Sequence, residues 1–162
     1  MALGNFSIKS PTENIVPSKK FAVALGTTET IKAGEFVSKA LGAEVVTAIA
    51  DATPVVGTNF FAGLATSTST ETAALTGTVE VMELESGVVY IGTQKTATLS
   101  TQALYDAAVG NRVLLDVTSG VQTVDEALAD GASNGIVIQP LDITLNPGKI
   151  AFSVRAGVNY LA

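Results

Sequence analysis

The sequence predicts a mainly β fold: an antiparallel β-barrel or sandwich with one or two short helices and an extended N-terminal arm. Three observations carry that expectation. From Phe21 onward, short apolar segments alternate with Gly, Thr and Asn punctuation roughly every 8–12 residues, the rhythm of an antiparallel sandwich or small barrel. The apolar positions are mostly small or β-branched, aromatics make up 6% of the chain and Trp is absent, which suits thin, closely packed β layers better than a large ligand-lined cavity. Near the C-terminus, Leu141, Ile143 and Leu145 alternate with Asp142 and Thr144, and Ile150, Phe152 and Val154 alternate with Ala151 and Ser153. Between them, Asn146-Pro147-Gly148-Lys149 has the type II turn chemistry, Pro fixing φ at the first central position and Gly accepting positive φ at the second. A hairpin of 141–145 with 150–155 is expected there.

The elements follow in order. Residues 1–20 hold two prolines, small polar residues and scattered apolar ones, so they read as an arm that is disordered or laid along a partner, with residues 21–162 as the β-rich domain. Candidate strands are Phe21–Leu25, Ile31–Lys39, Glu44–Ala50, Phe60–Ala65, Thr78–Leu84, Val88–Gly92, Val113–Val117, Ile136–Gln139, Leu141–Leu145 and Ile150–Arg155. Ser100–Ala108 is a polar-started run of good helix formers stopped by Val109-Gly110-Asn111. Thr123-Val124-Asp125-Glu126 has the capping-box form and predicts a second helix ending at Gly131.

Composition excludes several chemistries. The chain has no His and no Cys, so Ser-His hydrolases, histidine metal sites, disulfides and thiolate nucleophiles are ruled out. A net charge of −6 argues against a duplex-binding surface, and no nucleic-acid partner is expected. Residues 1–39 carry five Lys (Lys9, Lys19, Lys20, Lys32, Lys39) against Glu13, Glu29 and Glu35, a balance of +2, which leaves −8 for the other 123 residues. That asymmetry either steers the leading segment to an acidic surface or marks a solvated tail. No apolar run is long enough for a membrane span and the first residues lack the build of a signal peptide, so a protein made and kept in cytoplasm, with no membrane partner, is expected.

Several local clusters hold residue types that could carry chemistry. In TVEVMELES, Glu83 and Glu85 would share one strand face and Glu80 the other, but no Trp platform for a sugar accompanies these carboxylates. Asp130-Gly131-Ala132-Ser133-Asn134-Gly135 starts like a calcium loop, yet Ala132 and Leu141 stand where oxygen ligands are needed, so a turn capped by Gly131 explains it. Phosphate-cradling glycine motifs are absent, and Arg112 and Arg155 read as solvated charges or partner salt bridges. The run Thr66 to Thr72 is either a hydrated strand end whose hydroxyls bond backbone or an exposed edge for a neighbouring subunit. No catalytic residue, cofactor or metal ligand is assigned.

ETIKAGEFVSKA, GLATSTSTETAALTGTVEV, YDAAVGNRVLLDVTSG and the final IAFSVRAGVNY resemble small bacteriophage capsid decoration, or cement, proteins over about residues 21–160. Gly turns feeding Val-rich strands, as at Ala33-Gly34-Glu35-Phe36-Val37 and Gly77-Thr78-Val79-Glu80-Val81, carry the likeness. The resemblance implies a non-enzymatic virion structural protein, often a homotrimer, seated between capsomers on the outer capsid, with the major capsid protein as partner. The arm at 1–20 and the helix expected at 123–130 depart from the family pattern. Candidate partner contacts are Phe6, Ile8, Ile15, Val16, Lys19 and Lys20 in the arm, and Thr68 and Thr70 in the threonine run. On this view, deleting residues 1–18 weakens capsid binding and leaves the domain folded. Alternatives are a head-fibre or tail-associated virion protein, a carbohydrate-binding β module with a groove around Tyr90 or Tyr105, or an enzyme whose pocket converges on Lys, Asp or Glu.

Overall fold

The computed structural model describes residues 6–8, 18–23, 29–40, 43–58, 60–71, 77–84 and 87–158. The strands are β1 (Ser7–Ile8), β2 (Ser18–Val23), β3 (Glu29–Ile31), β4 (Phe36–Ser38), β5 (Val45–Ala48), β6 (Phe61–Ala65), β7 (Ser69–Glu71), β8 (Thr78–Glu83) and β9 (Tyr90–Thr93). After the helix α1 (Gln102–Ala108) come β10 (Arg112–Val113), β11 (Leu115–Thr118), β12 (Val121–Val124), β13 (Ile136–Gln139) and β14 (Lys149–Val154). The fold is mainly β, as the sequence predicts.

Two β layers share one wall. Strands β2-β5-β4-β6-β8 close into a barrel in which only the β2–β5 pairing is parallel. Its interior is packed by Phe21, Val23, Val37, Val46, Ala62, Ala65, Val79 and Val81, together with Ile31. A five-stranded barrel is too narrow for large side chains in every layer, which accounts for the Val and Ala excess. A second sheet, β1-β9-β14-β13-β10, lies against the outer side of that wall, and its core is aromatic. Phe36 of β4 sits at its centre, with ring centroids 5.0 Å from Phe6, 5.3 Å from Phe61, 5.0 Å from Tyr90 and 5.9 Å from Phe152.

The wall strands serve both cores because their faces alternate: Phe36 faces the sheet and Val37 the barrel. In β6 all five residues are buried, and simple alternation would put Phe61 and Leu64 on opposite faces. Opposite β4, however, Val37 pairs with Gly63 and Ser38 with Phe61, so Ala62 is an extra residue in a bulge. The bulge resets the parity, and Phe61 and Leu64 both join the aromatic core while Ala62 and Ala65 enter the barrel.

Several expected elements differ. The single strand over Ile31–Lys39 is two, β3 and β4, separated by a turn in which Gly34 has φ 85° and Lys32 N–H donates to Glu35 Oε2 at 2.9 Å. Val113–Val117 also splits: β10 pairs with β13, and the chain then changes sheets so that β11 pairs with β12. The C-terminal hairpin is not formed as expected. Its turn is present, with Lys149 N–H donating to Asn146 O at 3.1 Å and Gly148 at φ 69°, but residues 141–145 are not a strand. The backbone groups that a ladder would use are taken by the Gln102 amide, which donates to Leu141 O at 3.0 Å and accepts from Ile143 N–H at 3.0 Å. Asp142 Oδ1 further tightens the turn by accepting from Thr144 N–H at 2.9 Å. Strand β14 pairs instead with β13 and β9.

Helix α1 forms where predicted, with Thr101 as N-cap accepting from Leu104 N–H at 3.3 Å. The second helix does not form. Thr123 and Val124 belong to β12, residues 125–130 are turns and loop, and Gly131 is not left-handed. The extended arm is in part integrated into the fold: β1 pairs with β9 (Ser7 opposite Ile91), and β2 begins at Ser18 against Met82 of β8.

Candidate functional site

The most polar part of the interior fastens loops. Glu126, which the capping-box pattern marked as an acceptor of N–H groups, does accept them, from a different segment. Lys95 N–H donates to its Oε2 at 2.8 Å, and Thr96 N–H, Thr98 N–H and the Thr96 and Thr98 hydroxyls donate to Oε1 at 2.8–3.2 Å. The loop after β9 is therefore wrapped around one buried carboxylate. Burial pushes the Glu126 carboxyl up, and the donors from Thr98 and Thr96 outweigh it, leaving the group below the ordinary glutamate range.

Beside it, Lys95 Nζ bridges Asp116 Oδ1 at 2.7 Å and Asp125 Oδ2 at 2.9 Å, tying that loop to both strands' ends in the β11–β12 ribbon. The Asp116 carboxyl is held low, first by Lys95 and then by the Thr118 hydroxyl, and the Lys95 ammonium is held well above its ordinary range by the two aspartates. The ribbon is fixed to the barrel by Gln122, whose amide accepts from Phe36 N–H at 2.9 Å and donates to Phe36 O at 3.0 Å, as a neighbouring strand would. Gln94 clamps Leu99 and Lys149 in the same manner.

Because the folded Glu126 and Asp116 carboxyls titrate below their unfolded values of 4.5 and 3.8, their stabilisation is fully present above those values and is lost as pH falls through the lower folded ones. Glu35 has the opposite sign: burial raises it, so its contribution is present below 4.5 and lost as pH rises through the folded value. Glu126→Gln is expected to cost about 3 kcal/mol at neutral pH, since the amide NH2 must face N–H donors. Urea titrations at neutral pH and at pH 3 should show that cost shrinking in acid; a cost independent of pH would mean that the carboxylate charge is not what holds the loop.

Hollows open on the surface of the described residues. A shallow groove of about 520 Å³ is lined by Gln102, Asp106, Pro140, Leu141, Asp142 and Thr144. A smaller one of about 160 Å³ lies over Gln94, Ala97, Leu99, Ile143, Pro147 and Gly148. Among the described residues, no group of three or more Asp or Glu is arranged to hold a metal ion, and no helix is long and apolar enough to cross a membrane.

The candidate partner contacts are scattered over the fold. Phe6 is 5% exposed, its ring lies 5.5 Å from that of Phe152, and its N–H donates to Gly34 O at 3.0 Å, so this anchor is seated in the chain's own core. Ile8 pairs with Tyr90 in β1, and Ile15 and Val16 lie outside the described residues. Lys19 and Lys20 are exposed on β2. Thr68 Oγ1 accepts from Ala33 N–H at 3.2 Å, and Thr70 pairs with Thr30 through β7 and β3. The neighbouring Ser67 Oγ accepts from Glu80 N–H at 2.9 Å and Thr66 N–H donates to Glu80 O at 2.8 Å, so hydroxyl-to-backbone bonding describes this part of the run.

Other expected sites also change. Glu80 is exposed on β8, whereas Val79 and Val81 are buried; Glu85 lies outside the described residues. Asp130 is the bidentate partner of Arg112, whose Nε donates to Oδ1 at 2.9 Å, and Arg155 Nη1 donates to Ala132 O and Asn134 O at 2.7 and 2.8 Å. Tyr90 and Tyr105 are 2% and 0% exposed, so the glycan groove expected around them is withdrawn. Tyr105 lies inside because its hydroxyl has partners there, accepting from Ala151 N–H at 2.7 Å and donating to Gln139 O at 3.1 Å. Comparison with protein-family models, curated proteins and solved structures finds no match to this chain.

Proposed function

We propose that this chain is a non-enzymatic virion structural protein that binds the outer surface of a phage capsid and stabilises it. The observation that supports this best is the use made of buried polarity. Glu35, Gln94, Asp116, Gln122, Glu126 and Asn134 are all buried, and each bonds the chain's own backbone or ion-pair partners. A fold whose interior polar groups act as fasteners offers partners a rigid surface, and its work is done by contact area. Repetition of such contacts over a symmetric shell multiplies weak docking into firm attachment. The partners in this reading are the major capsid protein and further copies of the chain as a homotrimer, located on the virion exterior after synthesis in host cytoplasm.

The test is co-sedimentation of the purified protein with capsids of the encoding phage assembled without it. Saturable binding and a higher capsid disruption temperature are expected; absence of binding at micromolar protein overturns the proposal. Attachment through residues 1–17 alone, with the β layers projecting freely, would favour the head-fibre or tail reading instead.

A further inference from the structure

The loop between β9 and α1 is closed by two fasteners of different chemistry. At its base the neutral Gln94 amide accepts from Leu99 N–H at 3.0 Å and donates to Lys149 O at 3.0 Å, and both Gln94 and Leu99 are buried. Between these ends, Lys95, Thr96, Ala97 and Thr98 are all exposed, so apolar burial does not hold this stretch in place. It is held by charge: the Glu126 carboxylate, itself 6% exposed, gathers the N–H groups of Lys95, Thr96 and Thr98 and both threonine hydroxyls. Ala97, at the tip, sits in the left-handed region at φ 54°, a conformation that costs a non-glycine residue energy and that the carboxylate's donors must offset.

The charged groups around Glu126 come from each element packed there. Lys95 turns its Nζ to Asp116 of β11 at 2.7 Å and to Asp125, the neighbour of Glu126, at 2.9 Å. Asp51, in the turn after β5, is hydrogen-bonded to Asp116 in turn. Lys149 of β14, at the base of the loop, donates from Nζ to Thr93 Oγ1 at 3.1 Å. Acid neutralises the carboxylates and leaves the Lys95 ammonium charged, so the ion pairs weaken together with the bonds to Glu126. The Gln94 clamp carries no titratable group and is indifferent to pH.

We propose that residues 95–98 form an acid-released strap, closed while the Glu126 carboxylate is charged and opening about the Gln94–Leu99 base when that carboxylate takes up a proton. The opening is local and precedes loss of the fold, because the stretch that moves has no apolar anchor while its base has one. It draws Ala97 out of the wall of the 160 Å³ hollow and leaves Ile143, Pro147 and Gly148 open to solvent. Lys95 at the same time lets go of the ends of the β11–β12 ribbon. The donors around Glu126 hold its carboxyl below the ordinary glutamate range, so the strap is closed at neutral pH and opens as pH falls through the lower folded value.

Amide hydrogen exchange of the full chain, followed residue by residue by NMR from pH 7 to pH 3 and corrected for the intrinsic pH dependence of exchange, tests it. Protection of the Thr96 and Thr98 amides is expected to fall at least about tenfold in acid, while that of Leu99 and of Phe152 in β14 is retained. Glu126→Gln should show the loosened strap already at pH 7 and no further response to acid. Thr96→Val with Thr98→Val keeps every charge and backbone donor but removes two hydroxyl donors from the carboxylate. It should therefore move the opening midpoint to higher pH, and it provides a test even where Glu126→Gln fails to fold. Strap amides as protected at pH 3 as at pH 7, protection lost at Leu99 and Phe152 together with the strap, or a midpoint unmoved by the threonine changes each overturns the proposal. Capsid binding does not enter these measurements, so the strap and the capsid reading fail independently.

Discussion

Phe6→Ala is expected to lower the unfolding free energy by about 4 kcal/mol, the usual cost of removing a buried phenylalanine ring. The ring contacts those of Phe36 and Phe152 at centroid separations of 5.0 and 5.5 Å and lies against Gly92, where an added Cβ would come within 2.5 Å of it. That contact makes a second substitution informative. Gly92→Ala alone should also destabilise, by forcing the ring out, whereas in the Phe6→Ala background the nearest remaining neighbour of the new methyl is Phe152 Cε1 at 3.2 Å, so most of the clash is relieved. Urea denaturation of the four proteins gives the coupling, and a favourable interaction of about 1 kcal/mol or more is expected. Additive losses would show that the ring does not occupy the place assigned to it.

The same residue changes what the arm is. Deletion of residues 1–18 removes the buried ring of Phe6, the β1–β9 pairing and the first pair of β2, Ser18 with Met82. With single domains stable by only about 5–15 kcal/mol, such a deletion should destabilise the fold as well as remove a potential contact. The expectation that the domain stays intact without the arm therefore gives way, and a deletion phenotype in capsid binding has to be read beside a melting curve.

Local pattern revealed what depends on local chemistry. Short strands, α1 with its Thr101 cap and the Pro147-Gly148 turn were legible because each rests on residues adjacent in the chain. The misreadings arise where a side chain distant in sequence claims a backbone group. Leu141 and Ile143 have the alternation of a strand, but Gln102, about forty residues earlier, occupies their hydrogen-bonding groups. Thr123 and Glu126 have the spacing of a capping box, but Thr123 pairs with Asp116 in a ribbon and the Glu126 carboxylate faces a loop thirty residues away. In each case the residue types signalled backbone hydrogen bonding and left the partner open. Gln94 and Gln122 had no signal at all, since an amide reads as ordinary polarity until the fold closes around it.

The bulge in β6 leads to the other large effect. Gly63→Ala is expected to cost about 4 kcal/mol, combining a backbone clash with a strained φ. Gly63 has φ 155°, and a Cβ placed there would lie 2.0 Å from Met82 O and 2.7 Å from Val81 Cγ1, both on the adjoining strand β8. The nearest obstacle is backbone in a paired barrel strand, so relief requires β6 and β8 to separate, and with them the parity that sends Phe61 and Leu64 to one core and Ala62 and Ala65 to the other. Gly87→Ala isolates the conformational part, because Gly87 is left-handed at φ 85° with nothing within 4 Å of an added Cβ. It should cost about 1 kcal/mol from the backbone conformation alone. Equal midpoints for the two variants in urea would mean that the barrel wall yields, and that the bulge tolerates a side chain where the fold leaves no space for one.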